Sequence, residues 1–391
     1  MKDYKKRVLD QINEKEIIEF MQDLIRIKSV NPPGKEESIA RFIKNKLMEE
    51  GICTYLDEVD IKRPNVIAEL GKAEGPVLLY NAHMDTVPVG NANNWKYNPF
   101  GGEIDNGKIY GRGASDDKGG VAAMVMAAIA IKRAGVPLNG KLLVTSVMGE
   151  ETGNIGTKHL LDKGIKADWA IVGEYSDATK IGLGYRGSLW LNIKIFGKTA
   201  HGSRPYQGIN AINLMTKWVL PAIREINLDF TAHELFPAPT VNIATINGGV
   251  KTNVVPDYCE STIDIRLVPG QCPEDVFKRI KSFLNSIQDI NKDFSFELDK
   301  IQATKGFVTD KECPMVRILA EVIEDISCVK PQYIGKTGGS DANILVIDGK
   351  IPSVAYGPGN SSGHSPDENI SIDNLILSTK VYALTALKLL L

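Results

Sequence analysis

The chain has 391 residues, more than one hydrophobic core usually supports, so two domains are expected. Hydrophobic residues make up 43% and charged residues 24%, a globular balance. A formal net charge of -2 without any basic block or basic-aromatic stripe argues against a nucleic-acid partner. No apolar run approaches the ~20 residues that a membrane helix needs. The opening MKDYKKRVLDQINEKEIIEF is charged throughout and reads as no signal peptide. Cys53, Cys259, Cys272, Cys313 and Cys328 form no Cys-x-x-Cys pair and no even framework. A reducing cytoplasm and no membrane association are expected.

Taken in chain order, helical periodicity near 14–28 and 36–50 is followed by the β-rich runs NVIAEL (65–70) and PVLLYNAH (76–83). A helix from about Lys118 to Lys132 then precedes the strands KLLVTSVM (141–148) and WAIVG (169–173). Strands separated by helices of this length indicate an α/β layer with a mostly parallel sheet. From Gly184 the texture changes to SLWLNIKIF, a helix near 208–219, TVNIATING, CESTIDIRLV, the helix PEDVFKRIKSFLNSI and FSFELDKI. That β-α-β-β-α-β order is the ferredoxin-like arrangement. The expected organisation is therefore a catalytic domain over 1–183 and 300–391, with a smaller domain inserted at 184–299.

The chemistry-bearing residues fall at the ends of the predicted strands. His83 and Asp85 share a face two residues apart, so the aspartate can orient the imidazole toward a metal. Taken alone, a His-x-Asp is more often a surface pair. Asp116 and Asp117 close the glycine-rich GRGASDDKGG before an apolar helix, where one aspartate could simply cap the helix. The stretch matches no phosphate-binding pattern. Glu150 and Glu151 end one strand, and Glu174 ends another. Ligands gather at the carboxyl edge of an open α/β sheet, and acids packed there raise one another's pKa unless a cation joins them. Histidine and carboxylate donors without cysteine suit Zn²⁺, Co²⁺ or Mn²⁺. With Glu151 on the metal, Glu150 must diverge from it and can serve as a general base.

NAHMDTVP, YGRGASDDKGG, SVMGEETGN, AIVGEYS and GPGNSSGHSPDE, in this order and spanning nearly the whole chain, resemble the motifs of the ArgE/DapE-type zinc deacylases and exopeptidases. That family includes acetylornithine deacetylase, succinyl-diaminopimelate desuccinylase, aminoacylases and glutamate carboxypeptidases. The resemblance implies two zinc ions per subunit, with Co²⁺ a possible substitute. One would be held by His83, Asp116 and Glu174, the other by Asp116, Glu151 and His364. It assigns Glu150 as general base beside a bridging hydroxide, with Asp85 behind His83, and implies a cis Asp116–Asp117 peptide. GKTAHGSRP resembles the family's lid or dimerisation domain, so His201 would reach the active site of a partner subunit in a homodimer and stabilise the oxyanion.

KTNVVPD (251–257), DIR (264–266) and TGGSDA (337–342) resemble the family's segments that hold the substrate's α-carboxylate, so the resemblance implies Asn253, Arg266, Gly339 and Ser340 as candidate substrate-binding residues, with Arg186 and Asn360 beside them. A structural salt bridge is an equal rival for Arg266, and Gly338-Gly339 could mark a turn. Tyr185 and Arg204 stand where the desuccinylases tend to carry arginine and tyrosine, which leaves the acyl group open. His159 and His233 read as surface residues. The expected activity is hydrolysis of an N-acyl amino acid. The alternatives are a dipeptidase or carboxypeptidase on the same site, or a non-catalytic binding protein, against which Glu150 argues.

Overall fold

A computed structural model describes residues 2–72 and 74–391, which divide into two compact units. The first comprises 2–184 (Ala73 aside), Thr309–Ile334 and Ser340–Leu391; the second comprises Tyr185–Val308 and Gly335–Gly339. The strand Ser295–Thr304 runs through position 299, so the insertion extends past the boundary expected from sequence.

The first unit is built on a mixed sheet whose centre is parallel. In spatial order, seven of the sheet's nine strands are Cys53–Asp60, Arg63–Gly71, Lys141–Val147, Val77–His83, Trp169–Val172, Ser353–Ala355 and Lys180–Tyr185. The four from Lys141–Val147 to Ser353–Ala355 are mutually parallel, and the outer strands pair antiparallel. Parallel strands buried on both faces read as unbroken apolar runs, as LLV and VLLYNA do. The helix Lys118–Arg133 is buried from Lys118 to Ile131, which explains why its sequence carries no polar stripe. It packs against the helices Ile372–Leu390 and Glu14–Arg26. Each buried Ile, Val or Met of this layer contributes about 1.5–3 kcal/mol. Gly120 permits the close approach of this helix to the sheet, because a Cβ there would lie 2.5 Å from the Gly173 carbonyl oxygen. The Asp116–Asp117 peptide is cis, as the resemblance implied.

The second unit is an antiparallel four-stranded sheet in the order Thr240–Gly248, Tyr258–Leu267, Gly187–Phe196, Ser295–Thr304. With the helices Ala211–Leu214, Leu220–Arg224 and Pro273–Ile290 this is the expected β-α-β-β-α-β order. Leu189, Leu191, Ile193 and Ile195 alternate into its core, while Trp190, Asn192 and Lys194 lie on the other face. A π-helical turn, Met215–Val219, precedes Pro221, whose missing N–H interrupts the helical ladder.

Candidate metal centre

The carboxyl ends of the parallel strands converge on one edge of the first unit. His83 is the last residue of its strand, Glu150 and Glu151 follow Lys141–Val147, and Glu174 follows Trp169–Val172. Asp116 lies in the turn before the helix Lys118–Arg133, and His364 in the loop after Ser353–Ala355. One ligand atom each of His83, Asp116 and Glu151 lies within 4.8 Å of the others. His83 Nε2 is 2.9 Å from Asp116 Oδ1, and His364 Nε2 is 3.3 Å from Asp116 Oδ2 and 3.0 Å from Glu151 Oε1. The carboxylate of Asp116 therefore sits between two imidazoles. Glu174 is buried and close enough to push up the carboxyls of Asp117 and Glu150.

The charges of this cluster are unbalanced without positive partners. Burial, reinforced by Glu174, Asp341 and Glu151, drives the Glu150 carboxyl well above the usual carboxylate range. Burial also raises Asp117, helped by Glu174 and Asp116. For Asp116, burial is outweighed by His364 and His83, which hold it below the usual range. In return Asp116 and Glu151 raise His364 to about 10; His83 also rises, as Asp116 and Asp85 outweigh its burial. Protonation of the two imidazoles would bring positive charge here, and a divalent cation with neutral imidazoles would bring more of it to the same donors. Two imidazoles and three carboxylates with no cysteine among them fit an oxygen- and nitrogen-preferring ion such as Zn²⁺ or Co²⁺.

Asp85 touches His83 and both glutamates. His83 Nδ1 is 3.0 Å from the Asp85 carbonyl oxygen and 3.6 Å from its carboxylate. The carboxylate also accepts from the Glu150 amide (3.1 Å), the Glu151 amide (3.3 Å) and the Asn31 side chain (2.8 Å). Asp85 thus fixes His83 through its backbone and the paired glutamates through its side chain.

Glu368 is a functional residue that the sequence reading passed over. Its buried carboxylate accepts from Arg112 Nη1 (2.6 Å) and from the amides of Gly113 (3.0 Å), Ser115 (2.9 Å) and Asp116 (3.0 Å). Arg112 Nη2 also donates to the His364 carbonyl at 3.4 Å. The segments carrying Asp116 and His364 are thereby tied together. Orphaning any one of these buried donors would cost about 1–3 kcal/mol. The available signal was the acid four residues after His364 in HSPDE. His364 itself has φ 65°, an uncommon left-handed backbone for a non-glycine residue.

The substrate candidates divide. In the second unit His201 and Asn253 are adjacent, with Gly202 N donating to the Asn253 carbonyl at 2.8 Å. His201 Nδ1 is engaged by Ser203. Arg186 is buried and donates through Nη2 to the carbonyls of Ala238 and Arg266, both at 2.9 Å. Arg266 is clasped by Asp264 through Nε (2.9 Å) and Nη2 (3.0 Å) and lies over the Trp190 ring. Arg266 thus stands in a partly buried ion pair. Gly339 is open to solvent. Ser340 and Asn360 brace loops instead of presenting free side chains. The Ser340 hydroxyl caps the helix Asp341–Ile347, and the Asn360 amide binds the Asn369 carbonyl and the Ser362 amide. His159 is not isolated either, since its Nε2 lies 3.1 Å from Asp57.

A partly buried set of imidazoles and carboxylates on the edge of a mainly parallel sheet, beside a chain-adjacent second glutamate, is the architecture of a metal-dependent hydrolase. Residues 79–388 match peptidase family M20/M25/M40, and the chain belongs to that family of metallopeptidases and deacylases. The resemblance read from the five motifs is thus borne out. The chain is 29% identical over 406 residues to an uncharacterized metallohydrolase of Methanocaldococcus jannaschii, covering 94% of this chain and 98% of that one. It is 29% identical over 384 residues to the succinyl-diaminopimelate desuccinylase of Orientia tsutsugamushi, covering 95% of each. A tripeptidase structure from Staphylococcus aureus superposes with a TM-score of 0.80 at 28% identity, over 96% of this chain and 99% of that one.

Proposed function

We propose that the protein hydrolyses the amide bond of N-acyl amino acids, with Glu150 as general base. The observation that carries this reading is the divergence of two adjacent carboxylates. Glu151 Oε1 is directed at His364 (3.0 Å), whereas Glu150 Oε1 accepts from Asn154 (3.0 Å). One glutamate joins the cluster, and its neighbour stands beside it. His83, Asp116 and Glu174 would hold one cation and Asp116, Glu151 and His364 a second, zinc by preference with cobalt as substitute. Bound cations would polarise the scissile carbonyl and lower the pKa of water. Glu150 takes the proton that the attacking water gives up and returns it to the departing nitrogen.

Recognition is assigned to the second unit. Arg186 supplies positive charge suited to a carboxylate, and Asn253 and Gly339 supply polar contacts. His201 is exposed and keeps Nε2 for donation; its destination in this reading is the oxyanion in a second copy of the chain, within a homodimer.

The similarity to a tripeptidase favours a second reading, in which the same centre cleaves peptides. A panel of N-acetyl and N-succinyl amino acids, dipeptides and tripeptides separates the two, each assayed with Zn²⁺ and with Co²⁺. The expected outcome is preferential turnover of acylated amino acids, abolished by a chelator and restored by zinc. Preference for peptides would transfer the protein to the second reading, and hydrolysis of none would remove both.

A further inference from the structure

Two carboxylates on the sheet edge share a single amide. Asn154 Nδ2 donates to Glu150 Oε1 at 3.0 Å and to Asp341 Oδ1 at 3.0 Å. Asp341 is buried, and its other oxygen accepts from Asn81 Nδ2 at 3.1 Å. Asn81 in turn accepts from the Thr145 hydroxyl at 2.6 Å. The chain of bonds runs from the proposed base down into the sheet.

Asn154 occupies a place where its side chain would ordinarily do something else. It is the N-cap of the helix Ile155–Asp162, yet it makes no side-chain cap bond, and its backbone is left-handed at φ 59°. An asparagine at this position normally turns its oxygen toward the first helical amides. Here the amide nitrogen faces two carboxylates instead. Asp341 Oδ1 and Glu150 Oε1 each accept from the Asn154 NH₂ group, which fixes the amide with its nitrogen toward the two acids.

We propose that Asn154, braced by Asp341, is a positioning residue that fixes the Glu150 carboxylate for proton transfer, an inference that rests on Glu150 being the general base. A donor on Oε1 settles the rotamer and leaves Oε2 to take the proton.

The test uses Asn154→Gly, which removes the amide without penalising the left-handed backbone, and Asn154→Asp, which keeps the backbone preference but puts an acceptor between two acids. Both are assayed beside Glu150→Gln on the N-acyl amino acid that the parental enzyme turns over best, with metal content and thermal midpoint measured on every sample. For Asn154→Gly, kcat is expected to fall about 10- to 100-fold through lost alignment of the base. KM should stay within about twofold, the pattern of an interaction needed for the chemical step. Metal content should be parental. Parental kcat in both variants, with Glu150→Gln inactive, would overturn the role of Asn154 and leave the base assignment standing. Loss of metal along with turnover would also overturn it, by making Asn154 a support of the cluster. An active Glu150→Gln enzyme would remove the base assignment itself, and this inference with it.

Discussion

Glu150→Gln is expected to retain its full complement of metal and to lose turnover by about 10²- to 10⁴-fold, the usual worth of a positioned acid-base group. Glutamine preserves the volume of the side chain and can still accept from Asn154 through its oxygen, so the local network survives. What disappears is the capacity to hold a proton. Glu151 cannot take over, because its carboxylate is directed at His364 and Asp116 is shared with that same ring. Single-turnover measurement on zinc-loaded protein, with metal quantified on the same sample, decides the matter. A near-parental rate would strip Glu150 of its role, and a fall in metal content would make it a ligand instead.

The second large effect concerns His201. Its ring is exposed, Nδ1 is held by Ser203, and the neighbouring Asn253 carbonyl fixes the Gly202 amide. If His201 donates to the oxyanion, His201→Ala loses about 10²- to 10³-fold in kcat, the measured worth of one such donor. Complementation then distinguishes a site shared between copies from one completed within a chain. When His201→Ala and Glu150→Gln proteins exchange subunits, a shared site rebuilds one intact centre in each mixed dimer, about a quarter of parental activity for a two-fold symmetric pair at equal concentration. Absence of recovery despite demonstrated exchange would rule out donation in trans.

The sequence made the strand-end residues legible because period-2 and unbroken apolar runs locate where each strand stops. His83, Glu150 and Glu174 follow directly from that punctuation. The strand Cys53–Asp60 was missed for a physical reason. It is an outer strand of mixed exposure, with Thr54 its one buried residue, so CTYLDEVD carries no apolar rhythm. The bracing network was invisible for a different one. Arg112 and Glu368 are 256 residues apart, Asn81 and Asp341 260, and Asn154 and Asp341 187. Each is an ordinary polar residue in sequence, and its significance lies entirely in a partner that only folding supplies. Ser340 and Asn360 illustrate the converse, since motif position suggested substrate contact while the backbone around them claims their side chains.

The centre itself is tested most directly by counting divalent cations. Titration of chelator-treated protein with zinc, followed by calorimetry and elemental analysis, should give two ions per parental chain. Asp116→Ala should lose tight binding of both, because that carboxylate faces both imidazoles, and Glu151→Ala should keep one. A parental chain that takes up no zinc, or an Asp116→Ala chain that binds two ions as tightly as the parent, would contradict the account.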